Sequence, residues 1–338
     1  MSGSAGPTPS AWVLTEGAAG MVNQCLALTD ALGLAPVIKE ARPARPWASL
    51  PAWFALPPLD RLAPGSSALG PPFPDLLLAC GRKSIGLALA VRKASGGRCF
   101  TVYVQDPRLD PARFDLVIAP RHDRVRGANV VLTRGAPSRV TAAALAAAAD
   151  RFAPLLKPLP RPLVAVVLGG RSRRHRFAPP EAARLGRRLS TLCLETGGSL
   201  AVTASRRTPA DSLGAFAAAL EACPHQLYDG RGENPYLGLL AQAQAIVVTA
   251  DSVNMISDAC STGHPVLVAR LDERSSPRLA RFLSGLAADG LIRWFDGRLD
   301  PYAYEPLDDA ARAAAEIARR MAARAAGRAR LPGGSWAP

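Results

Sequence analysis

A glycine pair followed by a run of cations is the most chemically suggestive loop of the sequence. In "VLGGRSRRHRF", Gly169 and Gly170 come directly after an apolar run, and Arg171, Ser172 and three further arginines follow. Glycines allow a backbone to approach a ligand closely, and guanidinium groups bind phosphate oxygens through paired hydrogen bonds. The loop therefore predicts a diphosphate site, although a solvated basic loop is the alternative.

A second polar turn lies between two apolar runs in "VVTADSVNMISDACSTGHPVLV". Asp251 or Ser252 can cap the helix that starts here, which leaves backbone N–H groups for phosphate oxygens. Asp258 lies about two helical turns further on, near enough to accept hydrogen bonds from the vicinal hydroxyls of a sugar. In "VTASRRTP", Ser205 and Arg206 stand at another strand end and strengthen the anion hypothesis. A capped helix with a polar face is the plainer interpretation.

The first half of the sequence contains a glycine-bearing turn in "TEGAAGMVNQC". Gly17 and Gly20 allow a tight turn, and a helix beginning near Met21 would present its N-terminus to an anion. Asn23 and Gln24 add two amides to the first helical turn. The spacing is not the dinucleotide-binding GxGxxG, so the pattern predicts a binding loop of another kind or a plain strand-to-helix connection.

The next apolar run leads into "CGRKSIG", which again precedes a helical pattern. Arg82, Lys83 and Ser84 would provide two cations and a hydroxyl at that helix N-terminus, which suits a phosphate or carboxylate. A solvated basic loop is equally compatible with the residues.

Acid–base candidates follow two further strand-like runs in "VQDPRLDPARFDLVIAPRHD". Asp106 and Asp123 are carboxylates that could accept a proton, and His122 stands beside the second of them. A capping aspartate is commoner than a catalytic one, and the sequence does not choose among these residues.

The charge balance of the chain suggests an anionic partner. Its 41 Lys and Arg against 27 Asp and Glu give a net charge of +14, which phosphorylated ligands, nucleic acid or an anionic membrane could satisfy. A general bias towards Ala, Arg, Gly and Pro is the alternative explanation. Nucleic acid is disfavoured as a partner, because aromatic residues make up only 6% and the arginine clusters fall at strand ends.

The cysteines and the hydropathy of the sequence indicate the cellular compartment. Six dispersed cysteines without a CxxC pair indicate small buried side chains in a reducing compartment, and four scattered histidines predict no metal site. No apolar run approaches the ~18 residues of a membrane span. We expect a cytoplasmic protein that could also lie at the inner face of the membrane, with its Arg-rich C-terminal helix touching lipid.

Short apolar runs alternate with helical patterns along the chain, which indicates parallel sheets covered on both faces. The proline-rich segment "KPLPRP" cannot continue a helix and marks the expected domain boundary. We expect an N-terminal domain over 1–157, a C-terminal domain over 158–305, and a final helix and tail over 306–338. Two such domains would place a ligand cleft between the carboxyl ends of their strands.

Three segments together resemble a known family: "LTEGAAGMVNQCLAL", "VLGGRSRRHRF" and "VVTADSVNMISDACSTGHPVLV". They are similar to the family of the plant mitochondrial fission protein "elongated mitochondria" and its bacterial members, over residues 11 to 305. That family in turn looks like GT-B glycosyltransferases. The resemblance implies an α/β fold of two Rossmann-like doubly wound domains facing a cleft, with a C-terminal helix crossing back.

The resemblance also implies roles for individual residues. The segment "DSVNMISDACSTGHP" is similar to the donor loop of GT-B enzymes, in which Asp258 would bind a ribose and the loop from 228 to 236 would approach the base. The glycine-rich acceptor loop of such enzymes has a histidine that this sequence lacks, so Glu16 is a substitute base beside Asp106 and His122. The implied donor set is Gly169, Gly170, Arg171, Ser172, Ser205, Arg206, Asp251, Ser252, Val253, Asn254 and Asp258. The implied acceptor set is Gly17, Gly20, Asn23, Gln24, Arg82, Lys83 and Ser84.

The expected function is transfer of a sugar from a nucleoside diphosphate sugar, without metal or other cofactor, to an acceptor that could be lipid-linked. A non-catalytic protein that binds nucleotide sugars or recruits a partner at a membrane is the alternative, as the plant relative implies. A nucleotide-sugar epimerase is a third hypothesis. We expect an epimerase to carry a dinucleotide fingerprint and a Tyr-x-x-x-Lys pair, and the sequence has neither. Neither the oligomeric state nor the identity of the sugar follows from the sequence.

Overall fold

A computed structural model describes residues 8–51, 56–171, 177–220, 222–272 and 276–329. The chain divides into two compact units. The first unit comprises Met1–Arg139 with Asp308–Pro338, and the second comprises Val140–Leu307. In the described residues, each unit builds one six-stranded sheet whose strands are all parallel.

The sheet of the first unit has the strand order β2-β1-β3-β4-β5-β6. Its inner strands are continuous apolar runs buried along their whole length, as parallel strands covered on both faces must be. Its strands and helices are β1 (Ala11–Thr15), α1 (Ala19–Ala31), β2 (Val37–Glu40), β3 (Leu76–Cys80), α2 (Ser84–Ala94), β4 (Phe100–Val104), a 3-10 turn (Pro111–Arg113), β5 (Leu116–Pro120) and β6 (Val130–Thr133).

The sheet of the second unit has the strand order β12-β11-β10-β7-β8-β9. Buried strands again lie at its centre, with helices packed on both faces. The elements are α3 (Ala142–Leu156), β7 (Leu163–Leu168), α4 (Pro179–Thr196), β8 (Ser199–Ala204), α5 (Ala210–Ala218), β9 (His225–Leu227), α6 (Tyr236–Gln242), β10 (Ala245–Thr249), α7 (Val253–Cys260), β11 (Val266–Ala269), α8 (Pro277–Ala288) and β12 (Arg293–Trp294).

The last helix, α9 (Asp309–Ala329), returns to the first unit. Ala313 and Ile317 are completely buried among the side chains of α1 and the sheet, including Cys25 and Leu28. Near its end, Arg324 forms an ion pair with Asp115 at 3.1 Å. The apolar stripe within this Arg-rich and Ala-rich helix explains why it packs instead of staying solvated. The predicted α/β architecture with a returning C-terminal helix is confirmed.

The units divide at 139/140 and 307/308, whereas the sequence predicted boundaries at 157/158 and 305/306. The reason is α3, which packs against α6 of the second unit. Gln242 Nε2 donates to the Ala149 carbonyl at 2.9 Å, and Gly238 lies directly against the Phe152 ring. The prolines after α3 end the helix, but they do not mark the place where the packing partners change.

Both sheets contain a point at which the chain reverses its direction of winding. In the first sheet β1 lies between β2 and β3, and in the second β7 lies between β8 and β10. Ligands of open α/β sheets bind outside the carboxyl ends of the strands at such switch points. The loops after β1 and β3, and those after β7 and β10, are therefore the candidate ligand-binding loops.

Two expectations about buried and apolar residues can be compared with the structure directly. All six cysteines are buried and free of disulfide bonds, which confirms their interpretation as small core residues. Among the helices of the described residues, none combines the length and apolarity needed to cross a bilayer.

Candidate functional site

The glycine pair after β7 lies where no larger residue fits. A Cβ atom at Gly169 would lie 1.9 Å from Asp251 Oδ1, and one at Gly170 would lie 2.2 Å from the backbone carbonyl of Arg207. The loop after β7 therefore packs against the backbone of the loop after β8 and against the Asp251 side chain of the loop after β10. This contact depends on glycine at both positions, as the sequence pattern suggested.

Asp251 holds these three loops together. Its side chain is fully buried, and its carboxylate accepts hydrogen bonds from the Gly170 N–H at 3.0 Å and the Thr249 hydroxyl at 2.7 Å. Arg207 Nη2 lies 3.6 Å from the same carboxylate, and Thr249 also accepts from the Gly169 N–H at 2.7 Å. Asp251 was predicted to contact a donor, but in the structure it faces inward and positions the glycine loop.

The loop after β8 is folded onto the same glycine pair. Thr208 donates its hydroxyl to the Gly169 carbonyl at 2.5 Å, and the Arg171 N–H donates to the Arg207 carbonyl at 2.8 Å. Ser205, predicted to flank a diphosphate, accepts from the Arg207 N–H at 3.2 Å and thereby shapes the turn. These contacts hold the backbone that presents Arg206.

Two cations at this edge face solvent. The side chains of Arg171 and Arg206 are exposed, and each follows a strand end. Ser172 lies outside the described residues, as do the cations from 173 to 176 that follow it. The roles of Arg207, Thr208 and Thr249 were not predicted, because they depend on contacts between loops that are distant in the sequence.

The helix α7 begins at the same edge of the sheet. Ser252 caps it by accepting from the Met255 N–H at 3.4 Å, so the helix starts at Val253 with Asn254 in its first turn. The first N–H groups of a helix carry a partial positive charge that attracts anions. The predicted capped helix next to the glycine loop is therefore present.

Asp258 lies further along α7 and is half-buried. The Tyr236 hydroxyl, at the start of α6, donates to Asp258 Oδ2 at 3.1 Å. Burial raises the pKa of Tyr236 well above its ordinary value, and the charge and hydrogen bond of Asp258 add to that shift. Tyr236 therefore keeps its proton at neutral pH and donates a hydrogen bond to Asp258. The predicted loop from 228 to 236 thus ends at a side chain that orients Asp258.

The loop after β1 forms the corresponding edge in the first unit. The Gly17 N–H donates to Thr15 Oγ1 at 3.1 Å, and Gly17 has a φ of +90°, a conformation that favours glycine. Gly81, after β3, lies so close to the Glu16 side chain that a Cβ atom there would be 3.0 Å from Glu16 Oε1. Glu16 and the loop after β3 are therefore brought together.

The start of α1 and the exposure of its polar residues differ from the prediction. The helix begins at Ala19, two residues before the predicted start at Met21, and Gly20 lies in its first turn. Asn23 is exposed, whereas Gln24 is buried and accepts from Gln105 Nε2 at 3.3 Å. Gln24 thus links α1 to the loop after β4.

The residues of the basic loop after β3 also differ in their exposure. Arg82 and Lys83 are exposed at the edge of the sheet. Ser84 is completely buried, and its hydroxyl donates to the Gly81 carbonyl at 2.7 Å. The cations of the predicted acceptor set can reach a ligand, while Ser84 stabilises the turn.

The acid–base candidates differ in access. Asp106 is partly exposed, and its Oδ1 accepts from the Arg108 N–H at 2.8 Å. His122 is buried, with a side chain that is 2% exposed and Nε2 at 3.9 Å from Asp123 Oδ1. Of the three predicted catalytic residues, His122 has the least access to a substrate because the fold encloses it.

Glu16 and Asp106 both act electrostatically on the buried Tyr103. Burial raises the pKa of Tyr103 most, and Cys80, Cys25, Asp106 and Glu16 raise it further. The Tyr103 hydroxyl donates to the Gly81 carbonyl at 3.1 Å. The two carboxylates therefore belong to one polar edge, as the order β1-β3-β4 requires.

The two parallel sheets, their switch points and the returning helix define a GT-B-like α/β protein. The sequence profile of the family described as "Mitochondrial fission ELM1" matches residues 19–321. The chain belongs to this family.

Two relatives illustrate the range of the family. "Mitochondrial fission protein ELM1" of Arabidopsis thaliana is 36% identical over 278 residues, which cover 74% of this chain and 65% of that protein. The match therefore spans less than two thirds of the plant protein. An uncharacterised protein of Rickettsia prowazekii is 25% identical over 282 residues, covering 71% of this chain and 78% of that one. Sequences similar to this chain thus occur in a plant and in a bacterium.

Solved structures share the fold at low sequence identity. A UDP-N-acetylglucosamine 2-epimerase has a TM-score of 0.56 at 15% identity, covering 97% of this chain and 99% of that one. The Neisseria meningitidis UDP-GlcNAc 2-epimerase, solved with UDP-GlcNAc bound, has a TM-score of 0.51 at 12% identity, with 93% and 94% covered. The missing dinucleotide fingerprint and Tyr-x-x-x-Lys pair argue against a nucleotide-sugar epimerase, yet this chain shares its fold with two proteins of that name.

Proposed function

We propose that the protein is a glycosyltransferase that takes a sugar from a nucleoside diphosphate sugar bound by its second unit. The observation that carries the proposal is the meeting of the glycine pair after β7, the loop after β8 and the N-terminus of α7 at the switch point of the second sheet. A diphosphate fits this junction because it needs close backbone approach, N–H donors and cations together.

Each part of the junction has a role in the proposed reaction. Charge builds up on the diphosphate as it leaves the sugar, and the α7 N-terminus with Arg171 and Arg206 would stabilise that charge. Asp258, held by Tyr236, would accept hydrogen bonds from the ribose. Asp251 would keep the glycine loop in place without touching the ligand. The reaction needs no metal or other cofactor in this scheme.

The first unit would bind the acceptor. Arg82 and Lys83 are exposed cations that suit a phosphate-bearing acceptor, such as a lipid-linked one, while Asn23 and the Gly17–Gly20 turn would contact its polar part. Glu16 or Asp106 would take the proton of the attacking hydroxyl, since both carboxylates are partly exposed at the same edge.

A non-catalytic role is the second candidate, and the 36% identity to a plant mitochondrial fission protein favours it. In that case the fold would bind a nucleotide sugar or a protein partner without turnover. An attachment to the inner face of a membrane would be compatible with either function.

A thermal-shift screen with UDP, GDP, CMP and ADP sugars tests the proposal. A ligand present at a hundred times its Kd stabilises the folded state by about 2.7 kcal/mol, enough to raise Tm by several degrees. We expect one nucleotide class to do so. Analysis of the sugar after incubation with candidate acceptors then separates transfer from epimerisation and from binding alone.

Three variants test where the nucleotide sugar binds. Arg171→Ala and Asp258→Asn are expected to weaken the ligand by about tenfold each, which corresponds to about 1.4 kcal/mol. Arg187→Ala is the matched control, because Arg187 is an exposed arginine on α4. If no nucleotide shifts Tm, or if all three variants respond alike, the donor site is not where we place it.

A further inference from the structure

A cavity of about 360 Å³ lies in the first unit, away from the candidate site. Its walls come from the last turn of α2, the segment that leads into β4, and the 3-10 turn before β5. These segments lie at the amino ends of the strands, whereas Glu16, Arg82 and Asp106 lie at the carboxyl ends. The residues that line the cavity are Leu56, Leu89, Arg92, Lys93, Gly97 and Arg113.

The polar side chains that line the cavity are all cations. Arg92 is fixed in position, since its Nη2 and Nε lie 3.0 Å and 3.4 Å from the Asp115 carboxylate. Within the described residues, the side chains of Lys93 and Arg113 have neither a hydrogen-bond nor an ion-pair partner. Asp110, three residues before Arg113, instead accepts from the Ala112 N–H at 2.9 Å.

Asp115 does not neutralise this cluster. Arg324 also contacts its carboxylate at 3.1 Å, so two guanidinium groups share one negative charge. Burial alone would raise the pKa of Asp115, but hydrogen bonds from Arg92 and Thr101 and the charges of both arginines lower it. The carboxylate stays ionised and fully engaged, which leaves an excess of positive charge around the cavity.

The helix dipole accounts for only part of this arrangement. Cations in the last turn of a helix are favoured by its negative end, which explains Arg92 and Lys93 on α2. It does not explain Arg113, which comes from a different element and lines the same cavity. Unshielded like charges that converge on one cavity create an anion site.

The remaining walls are apolar. Leu89 is 7% exposed and belongs to the core, and Leu56 packs partly against the same core. Gly97 has no atom within 4 Å of the position its Cβ would take, so the cavity is open there. The volume falls within the range of about 300–1,000 Å³ that is typical of small-molecule sites.

We propose that this cavity binds a phosphate ester that carries an apolar group. The phosphate would contact Arg92, Lys93 and Arg113, and the apolar part would cover Leu56 and Leu89. Phosphate fits better than a carboxylate, because it offers more acceptor oxygens and more charge to three separate cations. The site is independent of the proposed glycosyltransferase function.

Isothermal titration with dihexanoyl phosphatidic acid, used as a dispersed monomer, tests the site. We expect saturable binding that is at least tenfold weaker in Lys93→Gln/Arg113→Gln. The control Lys157→Gln/Arg187→Gln removes the same charge from exposed positions of the second unit and should bind like the wild type. All four positions are exposed, so the variants should fold, which an unchanged Tm verifies.

Two further ligands test the apolar contact and the source of the phosphate. Inorganic phosphate should bind at least tenfold more weakly than the lipid, and Leu56→Ala should weaken the lipid but not inorganic phosphate. Flotation with vesicles containing phosphatidic acid then distinguishes a bilayer headgroup from a soluble phosphate ester. Co-flotation that the Lys93/Arg113 variant loses indicates the bilayer, and binding of the monomer alone indicates the soluble ester.

The proposal is overturned if dihexanoyl phosphatidic acid does not bind. It is also overturned if the control pair loses as much affinity as Lys93→Gln/Arg113→Gln, since net charge would then account for the effect. If inorganic phosphate binds as tightly as the lipid, Leu56 and Leu89 contribute nothing to binding and the proposed apolar part of the ligand is wrong.

Discussion

The two sheets have the same kind of switch point, but their loops are held in different ways. In the second unit, Gly169 and Gly170 touch a buried carboxylate and a neighbouring backbone, and neither can move aside easily. In the first unit, Cβ atoms at Gly17 and Gly81 would meet the ends of the flexible Glu40 and Met21 side chains. One edge is preorganised by backbone contacts and the other is lined by adaptable side chains.

This difference matches the division of work that we propose. A nucleoside diphosphate is a fixed group, and a rigid, hydrogen-bonded junction binds it with little rearrangement. An acceptor edge formed by exposed side chains such as Asn23, Arg82 and Lys83 can adjust to its ligand. Substitutions made in parallel in both units test this contrast.

The largest difference is expected for the glycines. Gly170→Ala should lower the free energy of unfolding by about 3 kcal/mol, because the new Cβ would overlap the backbone of Arg207 and force a backbone shift. Gly17→Ala should cost about 1.5 kcal/mol, since only its φ of +90° is strained and the Glu40 side chain can move away. Urea unfolding measures both.

Gly214→Ala is the control for the glycine pair. Gly214 lies on the exposed side of α5, and no atom lies within 4 Å of the place where a methyl group would be added, so alanine should stabilise by about 0.5–1 kcal/mol. Equal costs for Gly170→Ala and Gly17→Ala would remove the contrast between a rigid and an adaptable edge.

A smaller difference is expected between two aspartates. Asp251→Asn keeps the shape of the side chain but places an amide donor next to the Gly170 N–H or the Thr249 hydroxyl. The loss should be about 2 kcal/mol, because a buried polar group is left without a partner. Asp106→Asn should change the stability by less than about 0.5 kcal/mol, since its turn accepts either side chain.

The same unfolding titrations check the aspartate pair. The nucleotide response of Asp251→Asn should also fall, although Asp251 does not touch the ligand. A variant that unfolds like the wild type and still binds normally would show that the carboxylate does not position the glycine loop.

The smallest expected effect concerns the stability of the protein at low pH. Hydrogen bonds from Arg319 and Arg320 lower the pKa of Glu316, on α9 of the first unit, from 4.5 to about 2. A carboxylate whose pKa is lower in the folded state than in the unfolded state stabilises the protein at pH values above the unfolded-state pKa. This stabilisation is lost as the pH falls through the folded-state pKa. Glu316→Gln should therefore be less stable than the wild type at pH 6, with the difference vanishing between pH 4.5 and about 2.

A series of thermal melts from pH 6 to pH 2 measures this difference. Arg187→Ala serves as the comparison, because it removes an exposed charge from α4 of the second unit and leaves Glu316 and its arginines intact. A constant gap between wild type and Glu316→Gln down to the lowest pH would mean that the arginines do not hold the carboxylate.

Much of the fold followed from the sequence because its strands are continuous apolar runs between turn residues. β1, β7 and β10 appear as "AWVLT", "LVAVVL" and "AIVVT" and are present at those positions. β2 was missed, because "VIKE" is short and exposed at the sheet edge, so no burial pattern marks it. The boundary at 157 was misplaced since a proline run ends a helix whichever unit the helix packs against.

The candidate site was predictable only as a set of loops. Local patterns indicated Gly169, Gly170 and Ser252, because glycine and capping residues act through the backbone of their own segment. The inward orientation of Asp251 and the contact between Tyr236 and Asp258 depend on which loops meet in space. A single sequence contains no direct signal for such pairs, and an alignment showing paired changes could have revealed them.

Hydrogen exchange with and without a saturating concentration of the nucleotide sugar that raises Tm in the screen is the sharpest test of the proposed donor site. We predict slower exchange at the backbone N–H groups of the Gly169–Arg171 loop and the first turn of α7. At a ligand concentration near the wild-type Kd, the protection should be clearly smaller in Arg171→Ala, whereas Arg187→Ala should behave like the wild type. Unchanged exchange at both segments, with protection confined to other parts of the chain, would contradict a diphosphate site at the switch point of the second sheet.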